Sequence, residues 1–151
     1  MSVYTPPETY NLLRYGKRVD KEAATLPQST ASAIFNITGG RVAITKILGE
    51  VTTEMEAAAN NIKLTANPTV GGSADICAVV DGDGKAEGTL VGITGEPTDA
   101  MIIDASIPGQ ISDVVLKTGT LDLSCSASRT GAIKWTIWYT SLDDGAEIVA
   151  A

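Results

Sequence analysis

The chain contains no histidine. That absence removes the commonest general base and the commonest metal ligand together, so serine–histidine and cysteine–histidine catalysis and histidine-ligated zinc are excluded. Cysteine is scarce: Cys77 and Cys125 are the only two. Both lie in apolar, strand-like runs where cysteine commonly serves as a small buried hydrophobe, and two isolated thiols make no disulfide framework, although a single bridge between them stays open. Aromatic residues are 5% of the chain and charged residues 19%, against 44% apolar. Val, Ile, Leu and Ala must therefore fill the core, in thin and closely packed layers. Basic charge is in deficit as well, with a net charge of -7 and a pI near 4.4, which argues against a nucleic-acid partner. No apolar run approaches the ~18 residues of a membrane span, and the N-terminal Met-Ser-Val-Tyr-Thr-Pro-Pro lacks the apolar stretch of a signal peptide. No membrane partner is expected, and the chain is expected to be cytosolic where it is made.

What is present, over 151 residues, is enough for one core. The organising stretch is Gly39 to Thr53. Gly39-Gly40 supplies a turn, and β-branched residues dominate the run after it. Strict alternation puts Val42, Ile44, Lys46 and Leu48 on one face and Ala43, Thr45, Ile47 and Val51 on or near the other, predicting a long strand that needs cover on both sides. Gly49 marks a bulge or a close backbone approach.

Residues 1–31 read differently from the rest. They hold four basic and three acidic groups, whereas residues 32–151 hold seven and fifteen, so a slightly basic arm leads an acidic body. Thr5-Pro6-Pro7-Glu8 has the form of a helix start with Thr5 as cap, and Gly16 is a natural stop. A helix that short does not hold itself together in water. Its Tyr10, Leu12, Leu13 and Tyr15, preceded by Tyr4, need something to lie against, and Arg14, Lys17, Arg18 and Lys21 follow closely. The segment is either a tail or strap on its own sheet, or a docking arm whose removal over residues 1–23 leaves the body folded.

Residues 32–151 are predicted as a β-sandwich domain of eight or nine strands, antiparallel and jelly-roll-like, with an extended N-terminal arm carrying a short helix. The segment after Thr53 reads as the far side of a hairpin through Ile62-Lys63-Leu64-Thr65, and Ile76 to Val80 as a buried strand. Leu121, Leu123 and Cys125 alternate with Asp122 and Ser124, predicting one wet face. Ile133, Trp135, Ile137 and Tyr139 alternate with Lys134, Thr136 and Trp138, so Trp138 belongs either to a second core layer or to a subunit contact.

No catalytic constellation emerges. Asp81-Gly82-Asp83-Gly84 has two carboxylates at a calcium-loop spacing but no closing glutamate at the right offset, and reads as a hairpin turn, as does Asp143-Asp144-Gly145. The strand acids Asp75, Asp104 and Asp122 form no recognisable pair for glycoside hydrolysis. The serines and threonines lack a partner base, and there is no Walker-type loop. The expectation is a protein that is not an enzyme and carries no catalytic residue, no metal and no cofactor. A mean hydropathy of +0.13 in a chain with few aromatics leans towards buried intersubunit surface.

From about Ala24 to its end the chain resembles a group of small tailed-bacteriophage virion proteins of the head decoration, or cement, type. The resemblance rests on Ala24-Thr25-Leu26-Pro27-Gln28-Ser29-Thr30, Gly39-Gly40-Arg41-Val42, Gly49-Glu50-Val51-Thr52-Thr53, Ala66-Asn67-Pro68-Thr69, Leu121-Asp122-Leu123, Gly131-Ala132-Ile133-Lys134-Trp135-Thr136 and Leu142-Asp143-Asp144-Gly145-Ala146. It implies a structural virion protein on the capsid surface, made in the host bacterial cytoplasm, with the major capsid protein and further copies of itself as partners. A trimer is placed ahead of a dimer because decoration proteins often sit at threefold positions. A tail or baseplate component, or a carbohydrate- or receptor-binding sandwich using Trp138, are the alternatives. The residues expected at the partner surface are Tyr4, Tyr10, Leu13, Arg14, Tyr15, Lys17, Arg18, Lys21 and Trp138; those of the first 23 rest on their chemistry alone.

Overall fold

The computed structural model describes Tyr4 and residues 6–151. One helix, α1 (Pro7–Tyr15), precedes twelve strands: β1 (Lys17–Thr25), β2 (Ala31–Thr38), β3 (Val42–Thr53), β4 (Asn61–Pro68), β5 (Ala74–Asp75), β6 (Val80–Asp81), β7 (Leu90–Gly92), β8 (Ile102–Asp104), β9 (Val114–Leu116), β10 (Gly119–Cys125), β11 (Ala132–Ser141) and β12 (Glu147–Ala150). They form two six-stranded sheets. The first runs β1-β11-β3-β7-β8 with β9 also on β3, and the second β12-β2-β10-β4-β5 with β6 also on β4. All ladders between these strands are antiparallel.

The long strands pair across the chain: β1 and β3 with β11, β2 and β4 with β10. The N-terminal and C-terminal halves thus run side by side as one ribbon that wraps over itself, which is the jelly-roll arrangement. Between the sheets lies an aliphatic core, with Phe35, Ile44, Ile62, Leu64, Leu121 and Ile137 fully buried. The largest ring in it is Trp135, 2% exposed, which packs where Gly49 lets it: a Cβ at Gly49 lies 2.8 Å from the Trp135 ring. The close approach expected at that glycine is what the structure contains.

Several expectations are corrected. A free arm does not extend to residue 31: from Lys17 the chain is the strap on its own sheet that the sequence also allowed, an edge strand with Val19 opposite Ile137 and packed on the core. Alternation supports this, because Val19 is the one apolar residue flanked by charges in that strand. Helix α1 begins after Pro6, which occupies the cap position and makes no side-chain capping bond; Thr5 lies outside the described residues.

The expected hairpin between residues 42–53 and 62–65 does not form, since β3 and β4 belong to different sheets and the chain crosses from one to the other through Met55, which is buried. Ile76–Val80 is not one strand. Ile76 and Cys77 are buried in the connection between the two-residue strands β5 and β6. Twelve strands replace eight or nine because such short pieces carry no periodicity to read.

Strict alternation also fails within β3. Its register with β11 shifts between Trp138–Lys46 and Tyr139–Ile44, leaving Thr45 as an extra residue. A bulge reverses the parity of the strand. Ile44 and Ile47, expected on opposite faces, therefore both point into the core, and Thr45 and Lys46 are both turned outward and half-buried. On the second sheet the face carrying Asp122 is not wet at that position: the residue is 9% exposed, and its carboxylate accepts a long 3.4 Å hydrogen bond from Asn67. Its strand lies between β2 and β4, with Asp122 opposite Ala33 on one side and Thr65 on the other.

Candidate functional site

The bulge at Thr45 is what seats α1. The Thr45 hydroxyl, re-aimed outward, donates to the Tyr15 carbonyl and lies 3.2 Å from that of Trp138. A helix leaves its last carbonyls without intrahelical partners, and Thr45 satisfies one of them from the sheet. The next residue, Gly16, has φ +92° and sits so close to β11 that a Cβ there falls 2.1 Å from the Tyr139 carbonyl oxygen. Only glycine permits that conformation at that distance. Its N–H closes the helix on the Leu12 carbonyl at 3.0 Å.

The helix is thus fixed at its C-terminal end and stands off the body elsewhere. Pro7 to Arg14 are all exposed, and α1 buries no residue. Tyr10, Leu12 and Leu13 are 52%, 53% and 79% exposed, and Tyr4 ahead of them is 80% exposed.

At the root of the helix two rings and three cations meet. Tyr15 and Trp138 lie with centroids 6.2 Å apart at 55°. Arg14 sits 4.8 Å from the Tyr15 centroid, Arg18 5.5 Å from that of Trp138, and Lys46 5.3 Å and 5.5 Å from the two rings. Cations over aromatic faces attract by the ring quadrupole, so the cluster holds positive charge in place without needing carboxylates. Arg18 does pair with Asp20 at 3.1 Å, and Asp20 is also bonded to the Thr136 hydroxyl at 2.7 Å. The Thr136 bond foremost, with Arg18 adding to it, holds the Asp20 carboxyl below the usual range against the opposing effect of burial. Among the described residues neither Arg14 nor Lys46 has a carboxylate within ion-pair distance. Between the helix and the sheet runs a groove of about 330 Å³ lined by Glu8, Asn11, Leu12, Gly16, Arg18 and Trp138.

Of the residues expected at a partner surface, the structure gathers Arg14, Tyr15, Arg18 and Trp138 into this cluster, and displays Tyr10 and Leu13 on the helix beside it. Lys17 and Lys21 are elsewhere: in β1 they alternate with Arg18 and Asp20, and Lys21 bonds the Ala151 carbonyl oxygen at 2.7 Å. Leu12, Thr45 and Lys46 were missing from that set. A lysine in the middle of the most apolar strand was the available signal for Lys46.

The acidic turns have structural duties. One Asp81 oxygen accepts from the Asn60 and Asp83 amides at 2.9 Å and 3.1 Å, closing its turn. Asp143 clamps Arg41, accepting from its backbone N–H at 2.7 Å and from its guanidinium at 2.9 Å and 2.7 Å, which ties the β2–β3 turn to the β11–β12 turn. Those bonds lower the Asp143 carboxyl to about 2. Cys77 and Cys125 are both buried and free, and burial pushes the Cys125 thiol up to about 11, so neither is a reactive thiolate. No protein-family model, curated protein or solved structure matches the chain.

Proposed function

We propose that the protein is a structural, non-enzymatic bacteriophage virion component, a decoration or cement protein that attaches to the outside of the capsid and stabilises the head. The reading is carried by one observation: α1 buries none of its residues against its own body, yet keeps Tyr10, Leu12 and Leu13 exposed on a root that glycine geometry and a threonine bond hold at a fixed angle. An ordered apolar helix in water has a function when a partner covers it. The stiff sandwich behind it suits a surface component under mechanical stress, and the sequence resemblance supplies the setting. The partner in this reading is the major capsid protein, with further copies of the chain arranged around symmetry axes, a trimer ahead of a dimer. Binding only the assembled shell stabilises it by mass action.

A glycan platform is less well supported, because Tyr15, Arg18 and Lys46 all lie within 6.2 Å of the Trp138 ring centre and compete with a sugar for its faces. The test is immunogold labelling of virions together with thermal disruption of heads with and without the protein. Label on the head and earlier rupture of stripped heads are expected; label confined to the tail, with unchanged head stability, contradicts the reading.

A further inference from the structure

We infer that the Asp144-Gly145 peptide, in the turn between β11 and β12, is the chain's site of spontaneous isomerisation to isoaspartate, and that conversion there loosens the clamp between Asp143 and Arg41. Nothing in the reaction depends on what the sandwich attaches to. It needs only water.

The Gly145 nitrogen attacks the side-chain carboxyl carbon of Asp144 and loses its proton, a C–O bond breaks, and the oxygen leaves as water, which closes a succinimide. Water then adds back at either ring carbonyl. Opening at one restores aspartate; opening at the other routes the main chain through the side-chain carboxyl and lengthens it by one methylene. Glycine in the attacking position favours closure, because no Cβ stands against the ring and the backbone turns freely. No asparagine of the chain precedes a glycine, whereas three aspartates do: Asp81, Asp83 and Asp144.

The fold treats these three differently. The Gly82 N–H donates to the Asn60 carbonyl at 2.9 Å, and the Asp81 carboxylate is held by the Asn60 and Asp83 amides. The Gly84 N–H donates to the Glu56 carbonyl at 3.1 Å. Each of those nitrogens must break a hydrogen bond before it can turn on the carboxyl carbon. At the third pair nothing has to break. Among the described residues neither the Gly145 N–H nor the Asp144 carboxylate has a hydrogen-bond or ion-pair partner. Both residues are exposed, and no atom stands within 4 Å of the place a Gly145 Cβ would take. Asp104 is a fourth candidate, since its carboxylate accepts from the Ala105 N–H at 2.6 Å, but there the attacking residue carries a Cβ.

The position of the turn gives the reaction a consequence. The Ala146 N–H donates to the Asp143 carbonyl at 3.1 Å across the two residues concerned. Gly39 rests so closely on the Gly145 carbonyl that a Cβ there would overlap it. An added methylene between Asp144 and Gly145 displaces Gly145 from Gly39 and pulls on the turn that aims Asp143 at Arg41.

The test is incubation of the full chain in neutral and mildly acidic buffer, native and unfolded in guanidinium, followed by peptide mapping that separates isoaspartyl from aspartyl peptides of equal mass. In the native chain isoaspartate is expected at 144, with about fivefold less or lower at 81, 83 and 104, the scale of one protecting hydrogen bond. In guanidinium, where those bonds are gone, 81 and 83 are expected to catch up with 144. Asp144→Glu, whose side chain would have to close a less favoured six-membered ring, is expected to remove the product from this turn while melting like the parent. Native isomerisation at 81, 83 or 104 as fast as at 144 overturns the assignment. So does a native chain that forms none at 144 in the time the unfolded chain does. The aged parent is expected to unfold at a lower denaturant midpoint than the fresh one, and aged Asp144→Glu at its fresh midpoint. A converted parent with an unchanged midpoint overturns the loosening of the clamp.

Discussion

The two faces of β11 differ sharply in burial and surroundings. Inward, Ile133, Trp135, Ile137 and Tyr139 are at most 3% exposed and fill the middle of the sandwich. Outward, three residues along the chain from Trp135, Trp138 lies half-buried among Tyr15, Arg18 and Lys46. The same residue type is structural on one face and available on the other. The inner ring is held by dense packing and the outer one by a few oriented charges. If the proposed function holds, stability and attachment are therefore separable by mutation, and substitutions can set one face against the other.

The largest effect belongs to the inner face. Trp135→Ala is expected to destabilise the fold by about 3–5 kcal/mol, read as the midpoint of denaturant unfolding, because no neighbour can fill the space the ring leaves. A smaller loss comes from adding bulk beside it. Gly49→Ala places a methyl 2.8 Å from the Trp135 ring and 3.1 Å from Ile133, and overpacking of this kind costs about 1–3 kcal/mol. On the outer face Trp138→Ala is expected to cost about 1 kcal/mol or less, the scale of its exposed cation–π contacts, while weakening attachment to heads. If the two tryptophan variants were equally unstable, the division between the faces would fail.

The smallest effect sharpens the comparison at the end of the sandwich. The Asp143 carboxyl is held at about 2, below its ordinary value, chiefly by its bonds to Arg41. A depressed folded-state pKa stabilises the fold above the unfolded value near 3.8, and this contribution is lost as pH falls towards about 2. Unfolding midpoints of Asp143→Asn and the parent are expected to differ above pH ~4 and to converge in that acid window. A difference that persists at the lowest pH would show that the clamp is not ionic.

Much of the fold was legible because the long strands announce themselves. The alternation of residues 132–141 is the alternation observed, and the β-branched run after Gly39-Gly40 is β3. The errors share a cause: local patterns do not report which sheet a strand joins. Ile62–Thr65 is a strand as expected, yet it pairs with β10, far along the chain, and not with its predecessor. A single extra residue at Thr45 was equally silent, although it decides that Lys46 faces outward and that Thr45 meets α1. The candidate site was therefore half legible. Arg14, Tyr15, Arg18 and Trp138 stood out as cations and rings in odd places, whereas Thr45 and Lys46 were hidden in a strand whose parity the sequence does not reveal.

The boundary between arm and body depends on the same pairing. Deleting residues 1–23 removes most of β1 and with it Val19 from the core, so that truncation is expected to destabilise the fold. Deletion of residues 1–15 removes α1 and spares the strand. The most direct measurement of the central claim is therefore co-sedimentation of the full chain, and of a chain beginning at Gly16, with purified phage heads, alongside melting curves for both. The account predicts closely similar melting and loss of the shorter chain from the pellet. A shorter chain that melts normally and sediments with heads as well as the parent would contradict it.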